Sequence, residues 1–432
     1  MRTAIVVGSG AGGATVAKEL QGAYDVTVLE SGRAYRPSGL DRRTIERVAR
    51  SGALFDPRLV RLAYPAMRVR RTDDMLVVHG SGTGGTTTVA TGNGVRADDD
   101  LRALGLDLDE EFARVAAEIP VSTEHRRRWH PTTRRLFAAA EDIGLDPRPT
   151  PKMGLAASCR HCGRCVLGCP YGIKWDARRF LDVAVARGAR IRTGVRVHHL
   201  DIEGGRAAGV VTTGRRHVAA DLVVLAAGGF GTPAILERSG IRCDANLTVD
   251  PVLTIAARVP GAWQCNEIEM PFVVRRDRYI VSPYFDWLSY VLDPGWRLAP
   301  QDVLGVMVKL ADEGGGRVDA RGVHTRLTRV DRDRLEEGAE VARDLLAAAG
   351  VDPASTFTGL LNGGHPGGTL PLTEATAATC HDDRLPENVY VADATLLPRA
   401  LGLPPILTIV ALATRVARLA VEATTPAMSP AA

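Results

Sequence analysis

The chain has 432 residues, room for two domains at roughly 100–200 residues each. It is 45% hydrophobic and 24% charged, as a globular protein is, and a formal charge of +4 leaves no footprint for nucleic-acid binding. No apolar run reaches the ~18 residues that span a bilayer, and a strand beginning at residue 4 leaves no room for a signal peptide, so a cytoplasmic protein is expected.

The chain opens with a strand over Ala4–Val7, then Gly8, Gly10 and Gly13 in G-x-G-x-x-G. A helix over Ala14–Leu20 and a second strand over Tyr24–Leu29, ending on Glu30, follow. Glycines at those positions let backbone approach a pyrophosphate on a helix N-terminus, and the acid suits a ribose hydroxyl. The unit serves FAD and NAD alike. Residues 31–75 read as loop and short helix without evident chemistry. A second glycine-rich stretch, residues 77–96, offers backbone amides to a phosphate or a flavin ring. His79 and Asn93 could touch that ring, although a polar group satisfied within the loop is the plainer account of each.

Residues 125–135, HRRRWHPTTRR, carry five arginines and two histidines. They read as a solvated face, with docking of an acidic electron carrier or contact to an anionic substrate as the alternative. Leu136–Ile143 reads as helix, and residues 147–152 as a stiff linker. Cys159, Cys162, Cys165 and Cys169 then stand at C-x2-C-x2-C-x3-C before Pro170, the spacing of a bacterial ferredoxin loop. Gly163 and Gly168 permit the turns that bring thiolates together. Zinc sites usually pair two separated C-x2-C units, and three thiols at this pitch cannot all pair with one another. The loop therefore reads as an iron–sulfur site, with zinc or no metal as alternatives. The remaining cysteines, Cys243, Cys265 and Cys380, are scattered, a usage that fits a reducing compartment.

Beyond the loop, a helix is expected over Arg178–Arg187 and a hairpin from strands Ile191–Leu200 and Ala207–Thr213. Residues 221–241 read as a buried strand, a glycine turn at Gly228, Gly229 and Gly231, and a helix; the turn would admit a ligand. Alternating apolar stretches at Phe272–Val274, Tyr279–Val281 and Gly305–Leu310 predict an antiparallel sheet, followed by a helix over Arg332–Ala349. Then come GGHPGGT (363–369), NVYVADATLLP (388–398) and GLPPILTIVALATRVARLAVE (402–422), the last a long apolar helix. The tail TTPAMSPAA (424–432) reads as disordered.

Taken in that order, the motifs resemble the glucose–methanol–choline (GMC) flavoprotein oxidoreductases from residue 4 to about residue 422. The resemblance implies an α/β fold with a discontinuous Rossmann-type FAD-binding domain at 1–120, 185–242 and 384–432. It also implies an inserted Fe–S loop at 150–180 and a substrate domain on an antiparallel sheet at 243–383. FAD is the implied cofactor. Gly8, Gly10, Gly13 and Glu30 match the family's ADP-binding motif, and Gly84 and Gly85 its loop along the flavin; Asn93 is taken with them as a candidate cofactor contact from its place in the glycine-rich stretch alone. Val197 matches the residue that holds adenine by its backbone, Asp393 the acid near the ribityl chain and pyrophosphate, and His365 the active-site histidine. The cysteine loop is similar to that of members passing electrons through a cluster. One position departs. The family places Asn or His by the flavin where Pro404 stands, and proline has no side-chain donor and no N–H. The chain is also short for the family, which implies a trimmed substrate domain.

Alcohol oxidation needs a base for the hydroxyl proton, and His365, with an ordinary pKa near ~6.5, suits it. A cluster carries one electron at a time. The expected enzyme is thus a dehydrogenase acting on a small-molecule alcohol by hydride transfer to flavin N5. It passes electrons through a 4Fe–4S cluster, favoured over 3Fe–4S, to an external acceptor such as a ferredoxin, quinone or cytochrome. The fourth cluster ligand is Cys169, a distant cysteine or absent. Two alternatives stay open: an FAD/Fe–S reductase acting on a carbonyl or C=C bond, which Pro404 would suit, and a non-catalytic electron-transfer subunit, against which His365 speaks. The low aromatic content and the acids Glu267 and Glu269 lean toward a polar, sugar-like substrate, although solvated strand residues are the plainer account of the two acids.

Overall fold

The computed structural model describes residues 2–37, 42–51, 57 and 60–423; the tail read as disordered lies outside them. Five parallel strands form one sheet, in the order Val389–Val391, Leu222–Leu225, Thr3–Val7, Asp25–Glu30, Arg190–Thr193. Leu222–Leu225 is buried along its whole length, as an inner parallel strand covered on both faces must be. The helix Ala11–Glu19 packs on this sheet and against the long helix Ile406–Glu422. The contact is backbone-close: a Cβ on Gly12 would fall 1.6 Å from the Ala392 carbonyl oxygen. Thr3–Val7, the first strand, has Asp25–Glu30 and then Arg190–Thr193 on one side and Leu222–Leu225 on the other. The strand order therefore reverses at its carboxyl end, where doubly wound sheets bind ligands.

The expected strand Ile191–Leu200 is two strands. Arg190–Thr193 closes the parallel sheet, and Val197–Glu203 pairs antiparallel with Arg206–Thr212. Gly194, at φ +71°, turns the chain between them. The second large sheet is mainly antiparallel. Its main path includes Met67–Arg71, Leu76–Gly80, Asn362–Gly363, Pro251–Arg258, Val303–Leu310, Tyr279–Pro283, Phe272–Arg275 and Arg148–Pro149. Two of these strands come from within residues 1–120, and one from the expected linker. Asn362–Gly363 pairs parallel with Leu76–Gly80 and antiparallel with Pro251–Arg258, which sets residues 363–369 beside the strand carrying His79. The helix Arg329–Ala348, started by a capping box between Thr328 and Asp331, covers one face.

Candidate active site

Gly8 leaves the switch point at φ +100°, and a Cβ there would fall 2.3 Å from the Ala226 carbonyl oxygen. Gly10 caps helix Ala11–Glu19, and no side chain bonds its first amides. Those N–H groups and the positive helix end are thus presented to an anion. Opposite lie Gly84 and Gly85, both in the left-handed region. Gly84 N–H donates to the Ser9 carbonyl at 3.1 Å, and a Cβ on Gly85 would come 2.9 Å from Gly10 Cα. Two glycine loops thus face each other, backbone to backbone. Glu30 is buried beside both. Its Oε2 accepts from Ser9 Oγ at 2.5 Å, and its Oε1 from the N–H groups of Gly32 at 2.7 Å and Gly82 at 3.3 Å. It therefore fastens one loop to the other as well as ending the second strand. Val195 N–H donates to the Glu30 carbonyl, and buried Val197 opens the next strand. Asp393 is buried too, its Oδ2 accepting from Gly228 N–H at 2.8 Å and Thr232 Oγ at 2.6 Å. The turn expected to admit a ligand admits the chain itself at one glycine: a Cβ on Gly229 would fall 2.1 Å from the Pro366 carbonyl oxygen. That packing joins the His365 segment to the cradle.

A cavity of about 150 Å³ adjoins the cradle, lined in part by His365, Pro404, His79 and Asn93. His365 Nδ1 lies 3.0 Å from Asp250 Oδ2. A carboxylate only accepts, so Nδ1 carries the hydrogen and Nε2 keeps its lone pair. Lys309 Nζ donates to the same oxygen at 2.6 Å, and Gly402 N–H to the other at 3.2 Å. Asp250 sits at φ +50°, with its own N–H and that of Val249 held by the Asp312 carboxylate. Asp250 and Lys309 are buried, whereas 27% of the His365 side chain stays accessible, and it lines the cavity. Burial first, then the Lys309 charge, lowers the His365 pKa, so the ring is neutral. For Asp250, burial pulls the carboxyl up, but Lys309 and His365 more than reverse it. The other walls are largely apolar, with Tyr64, Met67, Val89, Trp287 and Met307 among them.

The two polar groups expected near the flavin behave differently. Asn93 is engaged: its Oδ1 accepts from Lys152 and its amide faces Met270 Sδ at 3.0 Å. His79 Nδ1 is buried without a hydrogen-bond partner, and burial together with neighbouring arginines holds its pKa at about 4. Glu267 and Glu269 are neither solvated nor in the cavity. Glu267 accepts from His161 Nδ1 at 2.6 Å and His130 N–H at 2.7 Å, and Glu269 from Val166 N–H at 3.0 Å. Both brace the cysteine loop.

Cys159, Cys162, Cys165 and Cys169 are free thiols around one smaller cavity of about 40 Å³. Gly163 and Gly168 make the turns, at φ +61° and +94°. Lys152 and Lys174 line the same cavity, and Lys174 Nζ donates to the Cys165 carbonyl at 3.1 Å. Among the described residues no group of three or more His, Cys, Asp or Glu is placed to hold a metal ion. That holds for the iron–sulfur and the zinc readings of the loop alike. Thr91 and Gly92 line both cavities, and Val166 and Leu167 of the loop line the larger one, so the two lie side by side.

Asp250 and Lys309 escaped the sequence reading. The one available signal was Lys309 itself, a lone ammonium in the strand VLGVMVKL, whose every residue is buried. Such a charge needs a partner.

A glycine cradle at the switch point of a parallel sheet, with a carboxylate-held histidine beside it, is an arrangement suited to a dinucleotide and to acid–base chemistry. The GMC oxidoreductase family matches residues 3–252. An uncharacterised GMC-type oxidoreductase of Mycobacterium tuberculosis (strain CDC 1551 / Oshkosh) is 31% identical over 498 aligned positions, 96% of this chain and 75% of the relative. The chain belongs to the GMC oxidoreductase family, whose members bind FAD. A long-chain-alcohol oxidase of Arabidopsis thaliana is 23% identical, over 94% of this chain and 65% of the relative. The crystal structure of pyridoxine 4-oxidase from Mesorbium loti shares the fold with a TM-score of 0.69 at 18% identity, covering 97% of this chain and 99% of that one. Among the described residues no helix is long and apolar enough to cross a membrane.

Proposed function

We propose that the chain is an FAD-dependent dehydrogenase that oxidises the CH–OH group of an alcohol and passes the electrons through an iron–sulfur cluster to an external one-electron acceptor. The observation that carries the first half is His365, with Nδ1 tied to Asp250 and the ring open to an apolar cavity beside the cradle. Gly8, Gly10, Gly13, Glu30, Gly84, Gly85, Val197 and Asp393 would hold FAD, and Asn93 and Pro404 would lie by its ring. Bound there, FAD supplies the acceptor for the hydride that leaves the carbinol carbon. His365 Nε2 takes the hydroxyl proton, and Asp250 stabilises the imidazolium that results. Pro404 offers the alcohol no hydrogen bond. Lys309, on the wall of the same cavity, supplies positive charge for the developing alkoxide.

The walls favour an alcohol with an apolar body. The sugar-like substrate rested on Glu267 and Glu269, which lie against the cysteine loop instead. The Arabidopsis relative is named for long-chain alcohols, which points the same way. Cys159, Cys162, Cys165 and Cys169 would hold the cluster, with Lys152 and Lys174 offsetting thiolate charge; it supplies one-electron transfer.

The test is anaerobic reduction of the bound flavin by a series of straight-chain primary alcohols. Wild type should bleach, and His365→Asn should do so about 10²–10⁴-fold more slowly. Equal rates would remove His365 from the mechanism. Peroxide formed in air in step with alcohol consumed would make oxygen the acceptor and end the relay reading.

A further inference from the structure

We propose that the outer face of the cysteine loop is the docking site for a small acidic one-electron-carrier protein; this rests on the relay reading above. Leu155 and Tyr171 are 54% and 46% exposed, large apolar groups on the surface. Their segments are joined, since Leu155 N–H donates to the Ile173 carbonyl at 3.0 Å. Tyr171 also lines the cysteine cavity, so it reaches from the thiols to solvent.

Around this apolar centre stand exposed arginines fixed to the loop. The Arg160 guanidinium lies over the Tyr171 ring at 4.6 Å, Arg128 donates to the Ala156 carbonyl at 3.1 Å, and Arg179 donates to the Gly172 carbonyl at 2.7 Å. Arg127 continues the rim, paired with Glu124 at 3.0 Å. Of the other acids near it, Asp176 is buried and paired with Arg178, and Asp182 is exposed one turn further along the same helix. Arg127 and Arg128, from the run that read as a solvated face, therefore form one side of a positive rim over the cysteines. Such a rim steers a negative partner, and a small apolar centre suits the brief contacts of electron transfer. Each alcohol oxidised to a carbonyl releases two electrons and two protons, so two carriers are reduced by one electron apiece.

The experiment pairs two haem carriers of opposite charge, acidic cytochrome b5 and basic cytochrome c, with holoenzyme reduced by dithionite. Cytochrome b5 should be reduced at least about tenfold faster at 20 mM than at 300 mM salt. Arg160→Glu and Arg127→Glu should each slow it several-fold at low salt while leaving reduction of neutral benzoquinone unchanged. Faster reduction of cytochrome c, or no effect of either charge reversal on cytochrome b5, would overturn the proposal. Iron and sulfide analysis of every variant separates the two readings. Protein without a cluster ends the relay, and the docking face is then judged by titrating oxidised cytochrome b5 at both salt concentrations. Salt-sensitive binding weakened by Arg160→Glu upholds the face; absence of binding removes it.

Discussion

His365 depends on a carboxylate 115 residues away in sequence, and the carboxylate depends on a lysine on the next strand. Removing the middle member should separate activity from stability. Asp250→Asn leaves the Lys309 ammonium buried without its counter-charge, a loss of about 3–5 kcal/mol for a broken buried pair. It also frees the His365 tautomer, so flavin reduction by alcohol should fall sharply even in the folded fraction. The double variant Asp250→Asn, Lys309→Met removes the stranded charge and should recover much of the stability in chemical denaturation, but not the rate. If the double variant is no more stable than the single one, the ion pair is not what holds Asp250 in place. The pH profile follows from the same geometry. The His365 pKa lies below its ordinary 6.5, so the base is neutral and competent above that point and protonated only on acidification. The rate of flavin reduction should rise with pH to a plateau already reached near neutrality. Lys309→Met removes one charge that opposes imidazolium formation, so its acid limb should move to higher pH. A limb that stays put would mean that burial alone sets the value.

The glycines that matter most to the packing of whole elements are those where backbone meets backbone. Gly12→Ala would drive a Cβ into the Ala392 carbonyl and push helix Ala11–Glu19 off the segment that carries Asp393. Loss of bound FAD and a destabilisation of at least about 1–3 kcal/mol are expected. Gly22→Ala is the control: its φ of +89° strains any side chain, but nothing lies within 4 Å. It should cost only about 1 kcal/mol and leave FAD occupancy unchanged. If both variants retain FAD equally, the close approach at Gly12 is not what seats the helix. The same contrast explains what the sequence disclosed. The first strand, helix and strand were legible because apolar runs, glycines and an acid fall at fixed local spacings. Val303–Leu310 and Arg329–Ala348 were legible within a few residues for the same reason. Ile191–Leu200 misled because strand-like residues continue through Gly194, where the chain changes sheets. Asp250 gave no local sign, because its meaning lies in two long-range bonds. Glu267 and Glu269 looked solvated because an acid near a strand usually is, and only the folded loop supplies the His161 and Val166 donors that bury them.

The molecule as a whole sets three features side by side: an apolar cavity with a base, a cavity ringed by four thiols, and a positive surface with an apolar centre. Thr91 and Gly92 join the first two and Tyr171 the last two. A zinc ion would explain none of this adjacency, whereas an electron path requires it. Iron and acid-labile sulfide on anaerobically purified protein, with EPR before and after dithionite, decide the matter. About four irons and a signal only after reduction are expected if all four cysteines are ligands. About three irons and a signal as isolated would leave one of them, with Cys169 the first to examine, outside the cluster. Cys162→Ser should then lower iron and cytochrome b5 reduction together, while the bound flavin still bleaches with alcohol. Flavin bleaching that fails along with the iron would mean that the loop, through Val166 and Leu167 in the cavity wall, is chiefly a structural part of the alcohol site. Zinc without sulfide would remove the relay altogether, leaving a flavin enzyme whose two-electron acceptor is to be sought first in oxygen.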